Sequence, residues 1–95
     1  MSLAGQANGR THMAQFVYIL RSDKDGGYYV GMTNNLKDRL TCHNAGRVRS
    51  TKSRRPFKLV HSEEFSTRIF AREREKYFKS YEGSREKLRI LEKIK

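Results

Sequence analysis

Residues 16–33 constrain the topology of this chain more than any other stretch, because two apolar runs flank Asp23-Lys24-Asp25-Gly26-Gly27. Asp-Gly followed by Gly supplies the positive φ angles that reverse a chain between antiparallel strands. The first run, Phe16-Val17-Tyr18-Ile19-Leu20, is too short for a buried helix and is apolar on both alternating faces. That pattern predicts a central strand. Tyr28 to Thr33 is then expected to pair back onto it, with Tyr18 and Tyr29 as neighbours.

Beyond Gly31, the stretch Met32-Thr33-Asn34-Asn35-Leu36-Lys37-Asp38-Arg39-Leu40 reads as a helix start, with an asparagine cap and Asp38 in the first turn. Arg39 and His43 are four residues apart and share a face. Leu36 and Leu40 have the same spacing and form an adjacent apolar stripe to hold the helix on the sheet. Asn44-Ala45-Gly46 ends it, glycine being the usual residue after a helix terminus.

This arrangement resembles the GIY-YIG nuclease family. Val17-Tyr18 matches the end of the first signature, Tyr29-Val30-Gly31 the second, and Arg39 the arginine in the helix beyond. The resemblance runs from Gln15 to roughly the end of the chain. It implies an α/β (α+β) fold, a small three-stranded antiparallel sheet flanked by helices, of the stand-alone single-domain branch related to the N-terminal domain of the bacterial excision-repair nuclease.

Arg47 to Lys58 crowds Arg47, Arg49, Lys52, Arg54, Arg55 and Lys58 among serines, a threonine and one proline, with no acidic residue. Charge alone makes this a solvated, self-repelling loop. Placed after a helix carrying Arg39 and His43, it reads as a phosphate-binding loop. The resemblance agrees, since small stand-alone members carry a similar basic stretch ending in Arg-Arg-Pro.

After Pro56, the alternation of Phe57, Leu59 and His61 predicts a third strand, with Glu63 and Glu64 expected to be solvated at its end. Ser66 or Thr67 then caps a helix to about Tyr81, whose buried face is expected to comprise Ile69, Phe70, Tyr77, Phe78 and Tyr81. Gly83 is expected to break that helix and Ser84 to cap a last one lined by Leu88, Leu91 and Ile94. Spacing alone makes Glu75 an ion-pair partner of Arg72 or Lys79. The resemblance instead makes Arg74-Glu75-Lys76-Tyr77-Phe78-Lys79 the segment that supplies a metal-binding glutamate, with Glu73 the competing assignment. Residues 1–13 read as a flexible leader and 14–95 as one domain.

The 21 Lys plus Arg against 10 Asp plus Glu leave a formal net charge of +11 on 95 residues, which points to a polyanionic partner, DNA first. A single cysteine, Cys42, excludes an internal disulfide and a cysteine-rich zinc site. No signal peptide, lipidation motif or apolar stretch of spanning length is present, so a membrane role is not expected and a cytoplasmic location is. No small-molecule substrate is expected.

Phosphodiester hydrolysis needs an activated water, charge stabilisation at phosphorus and help for the leaving oxygen. The resemblance implies a catalytic set of Tyr18, Tyr29, Arg39, His43 and Glu75, with Tyr18 as general base and Glu75 holding one Mg²⁺ (or Mn²⁺). A phenol with an ordinary pKa of about 10 is a poor base at neutral pH, so Tyr18 needs a cation or a proton acceptor beside it. Arg39 and His43 are the candidates for both. The implied function is a metal-dependent DNA endonuclease or DNA-processing enzyme, structure-selective and serving repair or recombination. The alternative is a nucleic-acid-binding module with the same fold and weak or no catalysis, and a third reading is an RNA-binding protein. Two departures support the alternative. Met32 stands where the repair-nuclease branch has lysine, and no asparagine follows Asn44, with Ser80 and Ser84 the candidate substitutes.

Overall fold

The computed structural model describes residues 14–93, so the expected leader, 1–13, and Ile94 lie outside the described residues. The elements run β1 (Gln15–Ser22), β2 (Tyr28–Thr33), α1 (Leu36–Asn44), β3 (Phe57–Phe65), α2 (Arg68–Lys79) and α3 (Tyr81–Lys93), with one turn of 3-10 helix at Lys52–Arg54. The strands form an antiparallel sheet in the order β2-β1-β3. The apolar first strand is therefore central. Val17 and Ile19 pack with Val30, Ala71, Phe78 and Leu91 on the side of α2 and α3. Tyr18 and Leu20 pack with Phe57 and the half-buried Tyr29, Leu36 and Leu40 on the side of α1. The stretch sandwiched in this way, Val17 to Leu20, is accordingly apolar on both of its faces.

The turn reverses the chain as expected but with a positive φ at Gly26 alone (73°) and not at Gly27, and the Ser22 and Gly27 backbones close the hairpin through a 2.8 Å bond. The resulting register sets Tyr18 opposite Gly31 and Leu20 opposite Tyr29. The third strand departs from simple alternation. Ile19 pairs with His61 but Leu20 with Leu59, so Val60 is an extra residue at a bulge. Phe57 is buried, whereas Leu59 is exposed and Val60 joins the core instead. Glu63 is not solvated either. It accepts two bonds from Arg74, at 2.8 and 3.1 Å, and pairs with His61 at 2.9 Å.

The buried face of α2 also differs from the expected one. Ile69, Phe70 and Tyr81 are exposed, Tyr77 is half-buried, and the fully buried residues are Ala71 and Phe78. These two lie seven residues apart, and the positions between them on the same face are Arg74 and Glu75. Arg74 is accommodated because Glu63 and Glu86 both accept its bonds and its guanidinium lies 4.2 Å from the Phe78 ring centre. Burial opposes ionisation of Glu63, yet the bonds from Arg74 and His61 outweigh it and hold its pKa below the usual range.

Gly83 does not break the helix, and Ser84 does not cap the next one. The break is at Ser80, whose backbone turns extended and whose hydroxyl accepts from Gly83 N–H at 3.1 Å. Gly83 lies inside α3 and is buried, and a Cβ there would overlap the Tyr77 carbonyl. Leu91 is buried as expected, but Leu88 is half exposed. Gly83→Ala is expected to pry the α2–α3 hairpin apart and destabilise the domain by about 1–3 kcal/mol. Urea denaturation reads this directly, and an unchanged midpoint would show that the close helix crossing is dispensable.

Candidate active site

The site is assembled around the hydroxyl of Tyr18, carried by the central strand. Tyr18 is buried and lies across its register partner Gly31, where a Cβ would come within 2.5 Å of the phenol oxygen. The glycine of Tyr29-Val30-Gly31 is therefore required for close approach. Its neighbour Tyr29 packs with ring centres 6.3 Å from Tyr18 and 5.1 Å from His43.

Helix α1 brings in the next two groups. Asn35 caps it by accepting from Asp38 N–H at 3.0 Å, and Leu36 and Leu40 seat it against the sheet. Arg39 and His43 then reach the same phenol from successive turns. His43 Nε2 is 2.8 Å from Tyr18 Oη, and Arg39 Nε donates to that oxygen at 3.4 Å. The end of α1 is fastened to β3 by Asn44, whose side chain accepts from Phe57 N–H at 2.7 Å and donates to Phe57 C=O at 3.1 Å. This pair of bonds imitates a strand partner.

Burial raises the Tyr18 pKa above its ordinary value, against the stabilising bond from Arg39, while the nearby charge of Glu75 raises it further. His43 is fully buried, and burial together with the Arg39 charge lowers its pKa to about 4. At neutral pH the phenol is protonated and the imidazole neutral, so the two share an uncharged hydrogen bond. Glu75 lies on the inward stripe of α2 with its side chain 19% exposed, and Lys79 one turn away pairs with it at 3.2 Å. The ion pair that helical spacing allows is therefore formed, with Lys79 as the partner.

The basic segment is shaped by the hairpin turn. Ser22 Oγ donates to Arg54 C=O at 2.6 Å, Lys24 Nζ to Ser53 C=O at 3.0 Å, and Arg54 Nε to Asp25 at 2.8 Å. Arg54 is thereby committed to a carboxylate and to the face of Phe57, 5.7 Å away. The guanidinium of Arg55 lies over Gly46, which has φ 80°. Arg47, Arg49, Lys52 and Lys58 are exposed.

Two residues of this region carried no signal in the sequence: Ser22 and Thr51, both fully buried. Thr51 Oγ1 lies 2.8 Å from His43 Nδ1. A threonine within a serine- and arginine-rich loop looks like solvated surface, and only the fold turns it inward. The expected substitutes for the missing asparagine are occupied locally, as Ser80 Oγ donates to Tyr77 C=O and Ser84 Oγ to Tyr81 C=O.

A tyrosine pair, a glycine beneath one of them, and an arginine and histidine on the following helix thus meet in the order of the family signatures. Residues 14–89 match the model of the GIY-YIG catalytic domain, and the chain belongs to that family. It is 40% identical over 79 residues to the UPF0213 protein YazA of Bacillus subtilis, covering 82% of this chain and 79% of that one. It is likewise 40% identical over 78 residues to a UPF0213 protein of Staphylococcus haemolyticus, covering 81% and 93%. The solution NMR structure of a UPF0213 protein from Bacillus halodurans superposes with a TM-score of 0.52 at 30% identity, over 82% of this chain and 85% of that one. The fold is that of this small-protein group.

The lowered His43 pKa sets a pH dependence of stability. Below about pH 6.5 the unfolded chain binds a proton at His43 that the folded chain does not bind until about pH 4. The contribution is complete above 6.5 and is lost as pH falls towards 4. Urea midpoints are expected to decline between pH 6.5 and 5, above the carboxylate range, and to decline less in His43→Gln. Equal slopes in the two proteins would contradict a buried neutral imidazole.

Proposed function

We propose that the protein is a divalent-metal-dependent DNA endonuclease that hydrolyses phosphodiester bonds and selects DNA by structure. The observation that carries this reading is the convergence on one phenol oxygen of an imidazole nitrogen at 2.8 Å and a guanidinium donor at 3.4 Å. A structural tyrosine needs one partner, and a buried tyrosine–histidine pair with a half-buried arginine beside it is costly to maintain without a task.

In this reading the attacking water gives its proton to Tyr18 Oη while Tyr18 passes its own to His43 Nε2. The water oxygen forms the new bond to phosphorus and the leaving oxygen departs with the old one. The phenol never has to become a free phenolate, so a raised pKa does not bar it from acting as the base. Arg39 engages Tyr18 through Nε, which leaves its Nη donors for phosphate oxygens. Tyr29 packs the acceptor in place.

The family generally uses divalent metals, and the residues present fit one in a limited sense. Among the described residues no cluster of three or more His, Cys, Asp or Glu could cage an ion. Mg²⁺ asks for less, commonly one or two carboxylates with waters and substrate phosphate completing the shell. Glu75, partly exposed on the inward stripe of α2, suits that role, and the ion would neutralise charge on the phosphate and leaving oxygen. Lys79 would have to yield the carboxylate.

That pairing of Glu75 with Lys79, together with Met32, favours the second reading, a DNA-binding module with weak catalysis. A panel of single-stranded, duplex, flap and junction DNA, with Mg²⁺, Mn²⁺ or chelator, separates the two. Tyr18→Phe is expected to slow cleavage about 10²–10⁴-fold and Arg39→Ala about 10²–10³-fold, with DNA binding largely retained. Glu75→Gln is expected to abolish the metal response. A wild type that cleaves nothing in the panel would hand the assignment to the binding module.

DNA affinity is expected to rest on the exposed loop cations. Arg47→Ala combined with Arg49→Ala should weaken binding and reduce the slope of log affinity against log salt by about 2. Arg54→Ala acts differently, loosening the loop by freeing Asp25. An unchanged slope in the double variant, measured by fluorescence anisotropy, would remove the loop from the interface.

A further inference from the structure

Thr51 is a buried hydroxyl that the reaction scheme above leaves unused. Its surroundings fix the direction of the hydrogen-bond chain that it closes. Four contacts form an unbroken line: Arg39 Nε to Tyr18 Oη at 3.4 Å, Tyr18 Oη to His43 Nε2 at 2.8 Å, His43 Nδ1 to Thr51 Oγ1 at 2.8 Å, and Thr51 Oγ1 to Val48 C=O at 3.3 Å. The two ends fix the polarity. A guanidinium only donates and a carbonyl only accepts, while a phenol and a hydroxyl have one proton each and a neutral imidazole has one.

Only one assignment uses all four contacts. Arg39 donates to Tyr18, Tyr18 to His43 Nε2, the Nδ1–H of His43 to Thr51, and Thr51 to Val48. The reversed assignment has Nε2–H donating to Tyr18 and Thr51 donating to Nδ1. It forfeits the contact with Val48 and leaves the buried phenol proton without a partner among these groups.

We propose that Thr51 is a positioning residue whose hydroxyl holds His43 in the Nδ1–H tautomer, keeping Nε2 bare against the Tyr18 hydroxyl. The basic loop thereby sets the chemical direction of the site. Thr51 lies one residue before the 3-10 turn at Lys52–Arg54, and its backbone shares that turn through bonds to Val48 C=O and from Arg54 N–H. A loop displaced from its seat would remove the acceptor for Nδ1–H. The bearing of this on cleavage rests on the nuclease reading, whereas the tautomer itself does not.

The test uses the full chain labelled with ¹⁵N-histidine, with His43 assigned by its disappearance in His43→Gln. Long-range ¹H–¹⁵N correlations at pH 7 distinguish protonated from bare ring nitrogens. Wild type is expected to show protonated Nδ1 and bare Nε2, Thr51→Val to lose that pattern, and Thr51→Ser to restore it. Cleavage should fall at least about ten-fold in Thr51→Val and recover in Thr51→Ser, with DNA affinity unchanged in both. A wild-type imidazole protonated at Nε2, or a Thr51→Val protein with the wild-type spectrum, overturns the proposal whatever the activity. Altered nitrogen signals with undiminished cleavage overturn the positioning role. If wild type cleaves no DNA, the nuclease reading fails and the spectra still decide the tautomer.

Discussion

The site depends on a missing side chain. Tyr18 can lay its ring across β2 only because its register partner, Gly31, presents a bare backbone. With the phenol seated there, His43 and Arg39 reach it from one face of α1, and Tyr29 closes over the imidazole. Any side chain at position 31 would push the hydroxyl away from both partners at once. The hairpin register is thus a constraint on this side-chain cluster as well as on folding, because a slip of one residue would set the phenol against Val30 or Met32.

How far the sequence revealed the fold depended on whether apolar pattern and burial coincided. They coincide in the middle of β1, where Val17 to Leu20 are all apolar and all buried, and in α1, where the cap, the leucine pair and the arginine–histidine pair follow helical spacing. They part company in α2. Its inward stripe includes Arg74 and Glu75, so hydrophobicity pointed to Ile69, Phe70 and Tyr81, which the fold leaves exposed. Arg74 is stabilised by partners eleven and twelve residues away, Glu63 and Glu86. Such partners are invisible to a local reading. Gly83 misled for the opposite reason: glycine commonly ends helices, yet here its small size serves contact between two of them.

The candidate site was legible where family signatures fall and illegible where burial alone confers importance. Tyr18, Tyr29, Arg39 and His43 come together as their order suggested, and Glu75 lies close enough for its charge to act on Tyr18. Ser22 and Thr51 carry no such mark. Each is a small hydroxyl in a polar segment, and each becomes significant only because hairpin and loop fold over it. The loop arginines, alike in composition, divide in the structure into Arg54, tied to Asp25, and the exposed Arg47 and Arg49.

The ties between the hairpin turn and the basic loop also bear on how the protein meets a polyanion. A free chain dense in like charges spreads out, and drawing it onto a strand of phosphates costs conformational entropy at every residue it fixes. Here Ser22, Lys24 and Asp25 already hold the segment around Ser53 and Arg54. Much of that ordering cost is met during folding, before any nucleic acid arrives. The turn that reverses the first two strands therefore also works as a strut, keeping the cations spread and facing outward despite their mutual repulsion.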